Sequence, residues 1–296
     1  MSKQELSEEA VGEAKDEMTD YTTYKRLAAS EKGKENKDMF EKLSSMERRH
    51  YDLWMRYLPK GTPAVGPSNR TVYLTLFLRR VFGASFAIKF LERREAKTVG
   101  KYESLKPMVP PDDQEAFQSM IEDEKGHETA FADIVAGTYV KYISFIVLGL
   151  ADALVEIAGI HAGSLGIYNS TELTGLAGIV AGAAASLAMA SAAFAQAKQG
   201  FEGRPSLAAA YTGGSYFVAA VVLALPYFLT KEMLSAISLS LAFGLTMIAF
   251  VSWYNSIISS GKFVKDFSEL AGVMLGATVA LFIFGNIIRA LFGITI

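Results

Sequence analysis

Residues Tyr142 to Ile160 read YISFIVLGLADALVEIAGI, an apolar run interrupted only by Asp152 and Glu156. A helix needs about 20 such residues to cross a hydrocarbon core ~30 Å thick. Four further runs follow, Leu173 to Ala197, Leu207 to Thr230, Met233 to Ser260 and Leu270 to Ile288, and the first three of these hold no charged residue. The second half of the chain therefore reads as five transmembrane helices. The second span is dominated by small residues, from Gly178 and Gly182 to Ala193, which suit close helix contact and predict a central place in the bundle.

The rest of the chain is a different material. Of 29 lysines and arginines 22 lie before residue 141, with 24 of the 31 acids, so only 14 charges remain for the last 156 residues. Neither part is strongly basic, which excludes the electrostatic footprint of a nucleic-acid binder. The absence of cysteine excludes disulfides, thiolate metal sites, iron–sulfur clusters and a catalytic thiol. The polar, acidic start, Ser2 to Asp20, lacks the apolar core of a signal peptide. Lys141, Lys198, Arg204, Lys262 and Lys265 flank the spans on one side, against Lys231 and Arg289 on the other. Basic loops stay inside, so the expected orientation has the N-terminal part in the cytoplasm and the C-terminus outside, in the cell (inner) membrane.

In the first half, Ser7-Glu8-Glu9 reads as a helix start and the helix is expected to run to about Glu31. Gly33 breaks it, a second helix runs from Lys34 to Tyr57, and Leu58-Pro59-Lys60-Gly61 opens a linker to Asn69. A third helix is predicted over Thr71 to Leu105. A fourth starts after Pro110-Pro111-Asp112-Asp113 and is expected to continue unbroken into the first span. Within helix three, Val72 to Leu91 is apolar yet carries Arg79, Arg80 and Lys89. It reads either as an amphipathic segment on the membrane surface or as a helix face buried in the bundle or a dimer contact.

The chemistry lies in Glu47-Arg48-Arg49-His50 and Glu124-Lys125-Gly126-His127. Residues three apart share a helix face, so each motif can direct a carboxylate and an imidazole into one cavity. Four-helix carboxylate sites combine two such motifs with a lone Glu from each remaining helix. Glu17 is the candidate in helix one, Glu92 and Glu95 in helix three. An internal repeat bears on the choice: Glu17 precedes Tyr24 by seven residues and Glu47 by 30, while Glu95 precedes Tyr102 by seven and Glu124 by 29. Any one of these acids alone reads as a solvated surface charge. Two of only three histidines falling in the motifs favours a metal site instead. Carboxylates with imidazole suit iron or manganese rather than calcium, and a binuclear iron site is the expectation. Tyr24 and Tyr102 are either partners of ligand carboxylates or core aromatics.

Charged groups inside a span are costly and read as functional. Asp152 and Glu156, four residues apart, lie about one turn from each other on one helix face and are candidate ligands for a desolvating cation. Met189 of span two offers a softer thioether, or simple packing. His161 is expected at the outer end of span one, as an interfacial residue or an exit ligand.

Residues 5 to 138 resemble the rubrerythrin-type di-iron domain of the ferritin-like superfamily. That resemblance implies ligation of two irons, with manganese possible, by Glu17, Glu47, His50, Glu92, Glu95, Glu124 and His127. The chain departs from full rubrerythrins in lacking a cysteine-ligated rubredoxin module. Residues 140 to 293 resemble the vacuolar iron transporter family through Leu148-Gly149-Leu150-Ala151-Asp152-Ala153-Leu154, the small-residue span with Met189, and Leu223-Ala224-Leu225-Pro226-Tyr227-Phe228. This family implies a five-span homodimer exchanging Fe(II) for protons, with Asp152 and Met189 as expected pore residues beside the acid Glu156 read from the span itself. Its usual Glu-rich insertion between spans two and three is here only Lys198 to Ser206. The whole chain resembles the fused proteins called membrane-bound ferritins. The expectation is thus an all-α protein, a cytoplasmic four-helix ferritin-like bundle (1–138) followed by a five-helix membrane domain (139–296). Export of ferrous iron by proton antiport is the expected function. The alternative is a membrane-anchored di-iron oxidase or peroxidase, and a third reading has the bundle sensing iron to gate the transporter.

Overall fold

The computed structural model describes the backbone of residues 3–95, 98–135, 138–168, 170–201, 203–258 and 261–293, and their side chains except at 3–5, 94–95, 127–135 and 138–141. Among these residues every regular element is helical. They fall into two compact units, Met1–Gly137 and Thr138–Ile296.

The first unit is built on a hairpin of α1 (Lys3–Ser30) and α2 (Lys34–Arg56), joined through extended Gly33. Helix α1 starts four residues before the expected Ser7, because Lys3, Gln4 and Glu5 are good helix formers. On α2 the buried residues Phe40, Leu43, Ser44, Glu47, His50, Tyr51 and Trp54 recur at the three- and four-residue spacing of one helix face. The two motif residues therefore belong to the same stripe as the core.

The region expected as one third helix is three: α3 (Asn69–Phe82), α4 (Ala84–Glu95) and α5 (Thr98–Leu105). The first break is Gly83, whose φ of +88° is open to glycine but strained for other residues. Arg79 of α3 donates to Glu31 Oε2 at 2.9 Å, and Glu31 also accepts from the backbone N–H of Lys32 and Gly33. This ties the inner face of α3 to the hairpin turn. Helix α6 (Gln114–Val135) follows a short 3-10 turn, Pro111–Asp113. Its expected continuation into the first span falls at 136–137, outside the described residues.

Two apolar clusters make the core of this unit. One gathers Leu6, Ala10, Ala14, Tyr51, Trp54, Tyr102, Phe117 and Ile121; the other gathers Tyr24, Leu27, Phe40, Leu43, Ile88 and Leu91. Helix α1 runs from the first cluster to the second and α2 runs back, so they are antiparallel. Along these helices Glu17, Glu47 and His50 fall between the clusters.

The second unit consists of α7 (Thr138–Tyr168), α8 (Thr171–Ala197), α9 (Pro205–Leu229), α10 (Met233–Ile258) and α11 (Phe263–Phe292). Each contains a stretch of 25 to 30 residues long and apolar enough to span a membrane, in agreement with the five expected spans. At 1.5 Å per residue the shortest covers about 38 Å, more than the hydrocarbon core requires. Five such helices mark an integral membrane protein. Their outward residues, including Leu176, Val180, Leu187, Val218, Leu234, Val273 and Ile283, are large and apolar, as lipid contact demands.

The central helix is α7, which packs against all four others, and not the small-residue α8. The small side chains of α8 serve close contacts with its neighbours instead, as where a Cβ on Gly182 would stand 2.5 Å from that of Ala220 on α9. A further tight crossing joins α7 to α11. A Cβ on Gly285 would lie 2.2 Å from the backbone oxygen of Gly163, where no rotamer change relieves the clash. Gly285→Ala is expected to destabilise the membrane unit by about 1–3 kcal/mol, the usual cost of overpacking. Thermal unfolding of the purified protein in detergent measures it.

Candidate metal centre

Glu17 on α1, Glu47 and His50 on α2, and Glu124 on α6 converge in the polar layer between the two apolar clusters. One ligand atom from each lies within 4.8 Å of all the others. His50 Nδ1 stands 3.4 Å from Glu47, 3.4 Å from Glu124 and 3.7 Å from Glu17. All four side chains are buried. Burying carboxylates together is unfavourable unless a positive charge joins them. Burial would by itself lower the His50 pKa, but its hydrogen bonds with Glu124, Glu17 and Glu47 outweigh this and raise it far above 6.5. His50 Nδ1 and the three carboxylates converge on one another, and this donor set of three carboxylates and one imidazole nitrogen fits a divalent transition metal.

The other nitrogen of His50, Nε2, faces Asp123 Oδ2 at 3.3 Å, and Arg49 in turn reaches that carboxylate at 3.4 Å. A carboxylate behind a ligating imidazole selects the tautomer and aims the free nitrogen inward. Asp123 is absent from the sequence-level ligand set because Glu122-Asp123-Glu124 reads as a solvated acidic run. No local spacing marks it, because neighbouring residues on a helix point in different directions, and only the approach of α6 to α2 brings it to His50. Asp123→Asn is expected to weaken metal binding 10- to 100-fold while leaving the fold intact, as for other outer-shell partners. Calorimetric titration of the full-length protein in detergent checks this.

Tyr102 of α5 donates to Glu17 Oε1 at 2.6 Å and lies 3.0 Å from Glu13 Oε2. It serves the acid of the other repeat, which decides its role in favour of a carboxylate partner. The phenol has one proton, and the shorter contact assigns it to Glu17. Burial raises the Glu13 pKa despite its ion pair with Lys101, so Glu13 is suited to carry a proton of its own. Burial and the neighbouring Glu17 and Glu13 also push the Tyr102 pKa upward. Tyr24 is buried in the second apolar cluster, stacked on Phe40 at 6.4 Å between ring centroids.

Glu92 is outside the convergent group; it pairs with Lys89 at 2.6 Å on its own helix. The side chains of Glu95 and His127 lie outside the described residues.

In the membrane unit, Asp152 and Glu156 are both exposed on α7, one turn apart on a helix that is otherwise apolar here. Glu156 accepts from the Tyr216 hydroxyl of α9 at 2.7 Å, a partner that hydropathy alone does not reveal. Met189 is half-buried and packs on the cluster of Ala153, Leu154, Ile157, Tyr216 and Ala220. His161 is not interfacial. It is fully buried, its ring 4.5 Å from that of Tyr227, and a Cβ on Gly178 would overlap it at 1.9 Å from Nε2. The helix runs on to Tyr168, so residue 161 falls inside the packed bundle rather than at its edge.

Comparison with protein-family models, with curated proteins and with solved structures finds no match to this chain.

Proposed function

We propose that the chain exports ferrous iron, or manganese, from the cytoplasm in exchange for protons, its first unit being a cytoplasmic four-helix ferritin-like di-iron bundle that collects or senses the ion. The observation that carries this reading is the acid pair Asp152 and Glu156, exposed together on the surface of a membrane-spanning helix. Isolated in lipid, carboxylates there would cost several kcal/mol. A second copy of the chain meeting this face would enclose them and make a pathway at the two-fold axis.

The chemistry follows from the carboxylates. They bind a divalent cation only when deprotonated, so a proton arriving from outside favours release and a proton leaving favours loading. Tyr216 orients Glu156 by donating to Oε2, which leaves its other oxygen available to the ion. In the first unit, Glu17, Glu47, His50 and Glu124 would hold metal, with Glu92, Glu95 and His127 completing a binuclear site. Two irons there would supply ferroxidase or peroxide-reducing chemistry. Asp123 holds the His50 ring, and Tyr102 holds Glu17.

Fe(II) uptake into sealed vesicles under a proton gradient, followed together with internal pH, tests the proposal. Iron flux with opposite proton flux supports it. Peroxide consumption by the intact protein with no flux in any vesicle would replace it by the membrane-anchored oxidase or peroxidase.

A further inference from the structure

Helix α3 has two faces. Val72, Thr75 and Leu78 are buried, and Arg79 is committed to Glu31 and the Ser30 carbonyl. On the opposite side Tyr73, Phe77 and Val81, at four-residue spacing, are 61%, 59% and 53% exposed, and Leu74 beside them is 43% exposed. Single exposed apolar residues are ordinary, but a continuous stripe of four large ones marks a contact surface. Arg70 and Arg80 flank the stripe and are exposed, and Arg26 of α1 lies over the Tyr73 ring at 5.2 Å. The helix carries no aspartate or glutamate, although the first 140 residues hold more acids than bases.

We propose that this face of α3 docks on the surface of an anionic bilayer, with Tyr73, Leu74, Phe77 and Val81 among the acyl chains and Arg26, Arg70 and Arg80 at the headgroups. Apolar side chains on one flank with arginine at the edges are the pattern of a helix lying in the interface, about 5–10 Å deep. The charge pattern favours lipid over a second copy. A two-fold contact apposes the same patch on both partners, which would set these arginines against each other with no acid on the helix to answer them. The chain is already anchored by its five spans, so docking is intramolecular and a weak affinity suffices. Gly83 uncouples α3 from the direction of α4 and lets it lie in the membrane plane. The inference is independent of what the membrane unit transports.

The native chain has no cysteine, so a single one can be introduced for labelling. Full-length protein with Phe77→Cys, and a control with Lys37→Cys at an exposed position of α2, would carry a nitroxide in vesicles of phosphatidylcholine alone or mixed with phosphatidylglycerol. In the anionic vesicles the label at 77 is expected to be reached by oxygen and shielded from a water-soluble nickel complex, and the label at 37 to show the reverse. Adding Arg70→Glu and Arg80→Glu is expected to reduce docking roughly fivefold or more per arginine. A label at 77 as open to nickel as that at 37 in anionic vesicles would overturn the proposal. So would direct spin–spin broadening at 77 that vanishes on dilution with unlabelled protein, which would give the face to a second copy.

Discussion

Asp152→Asn is expected to reduce proton-coupled Fe(II) flux to the background of empty vesicles, without loss of the folded protein. The two carboxylates are the acids within the span and lie on its exposed face. Asparagine keeps the shape and one oxygen but loses the charge that opposes a dehydrated cation. Outer-shell partners of metal ligands already cost up to ~100-fold when removed, so a direct ligand should cost at least that. Folding should be unharmed or improved, because an uncompensated charge in a span is unfavourable by ~2.5 kcal/mol or more. Glu156→Gln should do less harm, since one of its oxygens is already engaged by Tyr216. Normal flux with Asp152→Asn would remove the acid pair from any transport pathway.

The second large effect is expected in the first unit. Glu47→Ala with His50→Ala removes two of the four convergent ligands and should weaken metal binding by more than the ~100-fold seen for outer-shell partners. The same change should weaken or deregulate flux without abolishing it, if the unit collects or senses the ion. The intact site should also bind metal with a marked pH dependence. Glu124, Glu17 and Glu47 raise the His50 pKa and so favour the imidazolium in the metal-free protein, with Asp123 on its other nitrogen. Loading expels that proton, so affinity should rise by about tenfold per pH unit for each proton released. The metal-free protein should behave oppositely. A histidine whose folded pKa lies above 6.5 stabilises fully below that pH, and the stabilisation is lost as pH rises towards the folded value. Affinity and stability titrations that moved together would contradict the assignment.

The two halves of the chain differ in how plainly they can be read. The spans follow from hydropathy because lipid forces every backbone polar group into a helix, leaving the sequence few alternatives. Their ends are less legible: α11 starts at Phe263, seven residues before the apolar run at Leu270, since polar residues such as Lys265 and Asp266 continue a helix readily. In the first unit, Glu47 and His50 share a stripe with Phe40, Leu43, Tyr51 and Trp54, so their inward direction is written in the spacing. Glu124 was legible in the second Glu-x-x-His motif and Glu17 as the candidate acid of helix one, while the repeat served only to pair Glu95 with Glu17. Asp123 and Glu13 did not emerge, because acids beside other acids resemble a solvated surface until the partner helix is in place. The break at Gly83 was open to view, but an isolated glycine within a helical pattern is often tolerated, and the backbone alone shows its positive φ. The burial of His161 depends on Gly178, a partner 17 positions away that no local pattern identifies.

Trp54 is one of only two tryptophans, and its indole N–H donates to the Tyr102 hydroxyl at 3.3 Å while that hydroxyl holds Glu17. The fluorophore is therefore wired to the ligand shell through a single oxygen, with its ring 5.3 Å from the tyrosine ring and shielded from solvent. Any rotation of Glu17 towards an incoming ion would alter the electric field on the indole. The other tryptophan, Trp253, sits in α10 of the membrane unit and would remain silent. The emission of Trp54 would then gauge site occupancy, readable in a cuvette without dye, isotope or mutation.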